Sequence, residues 1–187
     1  MKVLNIHGYN GSAFNSVAVA MELNGLKVVT ENIDYDGTDP EIITEHLLEI
    51  YLKNKCEAIA GTSLGGFYAM VLCARLSVPT LLINPAVVPG IVLPELGYAY
   101  PDGIRKLRAI ELKYLGKLDL NNITTIVGKK DEIINDRLRA YTKAVLFNNR
   151  YYEIPNGKHS GSTLGLNALI KTYRKEWFGD MATDKDI

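Results

Sequence analysis

The stretch AIAGTSLGGFYAM (residues 58–70) decides the fold. It begins as a short apolar run suited to a buried strand, then sets Gly61, Gly65 and Gly66 around Ser63, where the pattern turns helical. Such a turn can cradle a phosphate, let a helix pack closely, or lift a serine out of the sheet edge as a nucleophile. Gly61-Thr62-Ser63-Leu64-Gly65 fits G-x-S-x-G, the nucleophile elbow, at the strand-to-helix junction that motif requires. The chemistry needs glycine two residues before and two after, because a Cβ there would crowd a strained serine turn. A phosphate loop wants lysine after its last glycine, and here Phe67 and Tyr68 follow. A dinucleotide fingerprint wants G-x-G-x-x-G in the first unit, which instead reads HGYNGS.

On both sides of this stretch, short apolar runs alternate with amphipathic ones. KVLNIHG, LKVVTENID, CEAIAGT, TLLINPAV, ITTIVG and RYYEIP read as strands. Helical spacing follows in AFNSVAVAMELNG, stopping at Gly25, and in EIITEHLLEIYLKN behind Pro40. LGGFYAMVLCARLS, NDRLRAYTKAVLF and STLGLNALIKTYRKEWF complete the series. Strands greasy on both faces, alternating with helices, imply a parallel sheet covered on both sides. The fold class is α/β, and the 187 residues are expected to form a single domain. Residues 86–119 are too long for an ordinary connection and read as an insertion, or short cap, after the fourth strand. Its leucines, prolines and tyrosines suit either an apolar acyl pocket or core packing. The stripe Arg105, Lys106, Arg108 and Lys113 reads as the solvated face of a helix. The tail from about residue 179 is polar and uncapped, and is expected to fray.

Composition narrows the function classes. Lysine plus arginine equals aspartate plus glutamate at 21 each, so nothing calls for nucleic acid or an anionic membrane. The longest greasy region, residues 78–97, is broken by prolines and Asn84 and reads as no membrane span. The opening MKVLNIHGYN lacks the pattern of a secretory signal, so the expected location is cytoplasmic. Cys56 and Cys73 lie in apolar patterns, without the spacing of a metal site. No metal or cofactor is expected.

A serine nucleophile needs a base, and the chain holds three histidines. His46 lies among glutamates on a helix and reads as surface. His7 ends the first strand and reads as a brace for the loop behind it. His159, in NGKHSGS between the last strand and last helix, falls on the same sheet edge as Ser63. Asp131, just past the fifth strand in GKKDEII, supplies the acid, and its neighbour Glu132 is the rival. Ser63, Asp131, His159 is the Ser–acid–His chain order of α/β-hydrolases. An oxyanion site needs two backbone donors. The amide of Leu64 provides one, and that of Tyr9, freed by Gly8 for close approach, provides the other.

LNIHGYNGS, GTSLGGFYAM, LLINPAVVP and NGKHS together resemble the YqiA/YcfP-type esterases, a compact branch of the α/β-hydrolase superfamily. The resemblance runs from the first strand to the last helix. It implies a serine esterase with Ser63 as nucleophile, Asp131 as acid and His159 as base. The acid loop departs from the family pattern, since Lys129 and Lys130 separate Gly128 from Asp131, yet Gly128, Asp131 and Ile134 keep the looser superfamily spacing.

The sequence therefore predicts an α/β-hydrolase of about six mainly parallel strands in the order 2-1-3-4-5-6. Its expected partner is a small acyl ester or thioester, with amides and the oligomeric state left open. A non-catalytic binding protein on the same fold is the alternative.

Overall fold

The computed structural model describes residues 1–148 and 150–179. The expectation for the tail beyond residue 179 lies outside the described residues. Among those residues six strands form one sheet: β1 (Lys2–Ile6), β2 (Lys27–Thr30), β3 (Ala58–Thr62), β4 (Thr80–Ile83), β5 (Ile123–Gly128) and β6 (Tyr151–Ile154). Their order is β2-β1-β3-β4-β5-β6, as the sequence predicts, and every pairing is parallel. The four inner strands are almost wholly buried, whereas β2 and β6 at the edges are only partly covered. That gradient is why the inner runs look greasy on both faces and the edge runs alternate less clearly.

Side chains of successive strand residues point to opposite faces. Leu4, Ile6, Ile59 and Leu82 join one core, and Val3, Ala58, Ala60, Leu81 and Ile83 the other. Helices α1 (Ser16–Glu22) and α7 (Leu166–Phe178) seal the second core with Val17, Met21, Ile170 and Trp177. On the first face lie α2 (Pro40–Lys53), α3 (Leu64–Leu76), α5 (Gly103–Tyr114) and α6 (Asp136–Leu146), while Val92 of the one-turn α4 (Pro89–Val92) joins Ala86 and Ile134 in a small separate cluster. Local chemistry sets the helix starts. Asn15 accepts hydrogen bonds from the Val17 and Ala18 amides, and Asp39 caps α2 just before Pro40. From Leu64 to Cys73 every residue of α3 is buried, so this helix is apolar all round and runs through the interior.

The segment between β4 and β5 packs down against α3. Leu93, Leu107 and Ile110 share one core with Phe67, Tyr68 and Met70, which favours packing over an acyl pocket as the reason for its apolar residues. Three of the four cations of α5 are ion-paired, Arg105 with Asp102, Lys106 with Asp39 and Arg108 with Glu111, while the Lys113 ammonium lies over the Tyr114 ring. Both cysteines are free and buried. No helix among the described residues is long and apolar enough to cross a membrane.

The α3 start crosses the end of β1 at contact distance. A Cβ on Gly65 would lie 2.2 Å from the Ile6 carbonyl oxygen and 2.5 Å from that of His7. Both are backbone atoms at the end of a central strand and cannot step aside. Gly65→Ala is therefore expected to cost about 3 kcal/mol or more, the upper range for overpacking. Gly116→Ala, with open space around it, should leave stability within about 1 kcal/mol. Urea denaturation of the two variants checks this, and equal midpoints would contradict the close approach.

Candidate active site

The strand order reverses between β1 and β3, and open α/β sheets bind ligands at the carboxyl ends of strands beside such a reversal. A pocket of about 190 Å³ opens there, lined by residues 7–12, 15–17, 62–63 and 159–161. Its walls come from the loops after β1, β3 and β6. Residues of the β4–β5 segment contribute nothing to this lining.

Ser63 occupies the elbow at φ 53° and ψ −119°, a region that residues with a Cβ seldom enter. Its backbone is held by the far end of β4. The Ser63 amide donates to the Ile83 carbonyl at 3.0 Å, and the Ser63 carbonyl accepts from the Ala86 amide at 3.0 Å and the Gly66 amide at 2.9 Å. A Cβ on Gly61 would strike the Gly65 carbonyl at 2.3 Å, so this clearance serves the elbow as the motif predicts. A Cβ on Gly66 would also come within 3.3 Å of the Gly61 carbonyl oxygen in β3, so this glycine lets α3 lie close to the sheet. It lets α3 pass 2.9 Å (measured from a built Cβ) from the Pro85 side chain, just beyond the sheet.

His159 meets Asp131 edge-on. Its Nδ1 lies 3.0 and 2.9 Å from the two carboxylate oxygens. The Asp131 side chain is fully buried and its Oδ1 also accepts from the Ile133 and Ile134 amides, at 2.8 and 2.7 Å. An acceptor-only carboxylate facing Nδ1 fixes the neutral ring with the proton on Nδ1 and the lone pair on Nε2. Glu132, the rival acid, does something else: its Oε2 accepts from the His159 backbone amide at 3.2 Å. Ser63 and His159 line the same pocket, although no hydrogen bond joins their side chains among the described residues. Such bonds are often long until a substrate closes the site.

The loop after β1 passes directly over Ser63. A Cβ on Gly8 would sit 3.0 Å from Ser63 Cβ and 3.6 Å from its Oγ, so the loop comes close to the hydroxyl there. Leu64 begins α3, and helix geometry leaves its amide without an intrahelical acceptor. His7 braces this loop from beneath, as its sequence position suggests. Its Nδ1 donates to the Gly8 carbonyl at 2.8 Å and its Nε2 accepts from the Ile33 amide at 2.9 Å. Two parts of the brace carry no sequence signal. The Tyr35 hydroxyl, whose ionisation burial suppresses, donates to the His7 carbonyl at 2.6 Å. The Tyr9 hydroxyl donates to Asp36, which also accepts from the Ala99 amide. His46 pairs with Glu31 on the surface, away from the pocket. Among the described residues, no group of three or more His, Cys, Asp or Glu side chains converges as a metal site would require.

The family model for the uncharacterised protein family UPF0227 matches residues 2–156. The chain belongs to that family, the YqiA/YcfP family. The match includes Ser63 and Asp131 and stops three residues short of His159. No curated protein matches the sequence. Among solved structures, Est1E from Butyrivibrio proteoclasticus with ferulic acid bound superposes with a TM-score of 0.71 at 17% identity, covering 94% of this chain and 88% of that one. A structure of the metagenome-derived lipolytic enzymes LipS and LipT gives 0.67 at 15%, over 94% and 91%. MGS-MChE2, an α/β hydrolase from the metagenome of lagoon sediments at Mar Chica, Morocco, gives 0.64 at 16%, over 98% and 92%. The UPF0227 chain thus has the α/β-hydrolase fold.

Burial lowers the pKa of His7 below its ordinary 6.5, outweighing the hydrogen bond to Gly8. The sign follows from proton counting. Between the lowered folded value and 6.5 the unfolded chain binds the proton and the folded one does not, so stability rises with pH in that window. The contribution is complete above about pH 6.5 and is lost as the pH falls through the folded value, where the Ile33 bond to Nε2 breaks. Urea midpoints at pH 7.5 and pH 5 should therefore differ less in His7→Gln than in the unaltered protein. An identical pH dependence in both would remove His7 from this role.

Proposed function

We propose that the chain is a serine hydrolase that cleaves small acyl esters or thioesters through an acyl-enzyme on Ser63. The observation that carries this reading is the buried Asp131 gripping His159 Nδ1 with both oxygens while the ring lines the pocket shared with Ser63. The strained elbow under Ser63 supports it independently. The esterases and lipases among the structural neighbours support the reaction class by analogy of fold.

In this mechanism His159 Nε2 takes the hydroxyl proton as Ser63 Oγ bonds the acyl carbon. The carbonyl oxygen becomes an oxyanion, held by the Leu64 and Tyr9 amides beside Gly8. Collapse breaks the bond to the leaving oxygen or sulfur, which receives the proton from Nε2. Water then repeats the sequence: Nε2 takes its proton, hydroxide adds to the acyl carbon, and Ser63 leaves with the proton returned. Asp131 stays ionised throughout, orienting the ring and stabilising the imidazolium. Glu132 holds the His159 backbone and takes no part in the proton relay. The pocket of about 190 Å³ suits a short acyl group.

A fluorophosphonate probe should label the folded protein and fail to label Ser63→Ala. Labelling that persists in the variant refutes the nucleophile. On an activated ester, Ser63→Ala should lower kcat on the order of 10³-fold or more, and Asp131→Asn should cost at least about 10²-fold. Glu132→Gln should cost clearly less, and the reverse ranking would transfer the acid role to Glu132.

A further inference from the structure

The segment INPAV (residues 83–87) follows β4 on the axis of the sheet, and its asparagine has no part in the chemistry above. Asn84 is 1% exposed and sits at φ 43°, a left-handed conformation that asparagine tolerates better than most residues. Every polar atom of its amide is occupied. Nδ2 donates to the carbonyls of Lys158 and His159, both at 2.9 Å, and Oδ1 accepts from the Gly128 amide at 2.7 Å. These partners fix the orientation of the amide, because two carbonyls require donors and an N–H requires an acceptor.

Those three bonds reach the two loops that carry Asp131 and His159. Gly128 ends β5, and its carbonyl accepts from the Asp131 amide at 3.3 Å. The backbone around Asn84 holds the third member. Ile83, just before it, accepts the Ser63 amide, and Ala86, two residues after it, donates to the Ser63 carbonyl. One buried residue is thus bonded, directly or through its neighbours, to the backbone beside Ser63, Asp131 and His159. The His159 backbone is held at both ends, its carbonyl by Asn84 and its amide by Glu132.

We infer that Asn84 is a positioning residue that sets where the His159 ring stands relative to Ser63. It touches neither substrate nor reacting atoms, and acts by fixing the His159 carbonyl and hence the direction of the side chain. A polar side chain at this buried point is otherwise costly, and a structural tie between β4 and β5 alone would need only the bond to Gly128. The two bonds to the last loop are the part that catalysis would require, since a shift of about 1 Å in a base can cost on the order of 10²-fold in rate. The inference rests on the serine hydrolase reading for its kinetic consequence, and on geometry alone for the placement of the ring.

The deciding variant is Asn84→Asp. It keeps the size, the tolerance of positive φ and the acceptor for Gly128, and removes the donors to Lys158 and His159. With an activated ester, kcat should fall about 30- to 100-fold while KM stays within about threefold. In ¹⁵N-resolved NMR, the Nδ1–H resonance of His159 should be a single sharp line in the unaltered protein and broaden or shift in the variant. Acidification should narrow the gap in kcat between the two proteins, because the introduced carboxyl, once protonated, can again donate to one carbonyl. If Asn84→Asp does not fold, Asn84→Gly, which accepts the φ of 43° without strain, takes its place in both measurements. Unchanged kcat together with an unchanged His159 resonance would overturn the inference, as would a lower melting temperature with both readouts intact. If the unaltered protein neither turns over esters nor reacts with the fluorophosphonate, the hydrolase reading fails, and the His159 resonance still decides the positioning claim.

Discussion

The whole arrangement depends on how closely the first turn of α3 approaches the end of β1. There is no room for a side chain between Gly65 and the Ile6 and His7 carbonyls, so two backbones touch where most folds would place a layer of side chains. That contact brings the loop after β1 over Ser63, with Gly8 close against the serine side chain. It also forces Ser63 into positive φ, at a cost of about 1–3 kcal/mol for a residue with a Cβ. The strain persists because the elbow is hydrogen-bonded on its other side to the segment after β4. The elbow is therefore wedged between two strand ends, and neither its position nor its shape is free to relax.

Around this wedge the polar groups fall into two sets. On one side His7, Tyr35 and the Asp36 carboxylate hold the loop after β1 through bonds to its carbonyls and to the Tyr9 hydroxyl. On the other, Asp131, Glu132 and Asn84 hold the His159 loop by its ring, its amide and its carbonyl. A carboxylate that is fully buried and bonded to two amides has few ways to move, so the ring it grips is aimed by the scaffold. Two neighbouring acids on one loop thereby take different tasks, decided by which part of His159 each can reach.

The strand order and class were legible in the sequence because four inner runs are buried on both faces and each is followed by a helical period. The elbow was legible because steric crowding leaves glycine little competition at Gly61 and Gly65. Asp131 and Glu132 could not be separated by spacing, since adjacent residues on a loop point in directions that only backbone geometry settles. Asn84 was quoted as part of a motif yet carried no role, because its three partners lie 44 to 75 residues downstream. Tyr35 and Asp36 were missed for the same reason: a lone tyrosine or aspartate in a loop looks alike whether it braces a neighbour or faces water. The tyrosines of the β4–β5 segment suited either a pocket or core packing and their composition could not choose; Tyr98 meets Tyr9 edge-on.

Apart from residues 62–63, the pocket walls come from the two ends of the described chain. Residues 7–17 and 159–161 face one another across Ser63, although about 150 residues separate them. A chain emerging from the ribosome would expose the elbow at Ser63 long before the His159 loop is made. Closing so distant a contact is slow and comes late, since its entropy must be lost before any reward is gained. Ser63 is thus without His159 beside it until the sheet is complete, and an unfinished or locally unfolded chain presents the serine hydroxyl with no imidazole in the same pocket.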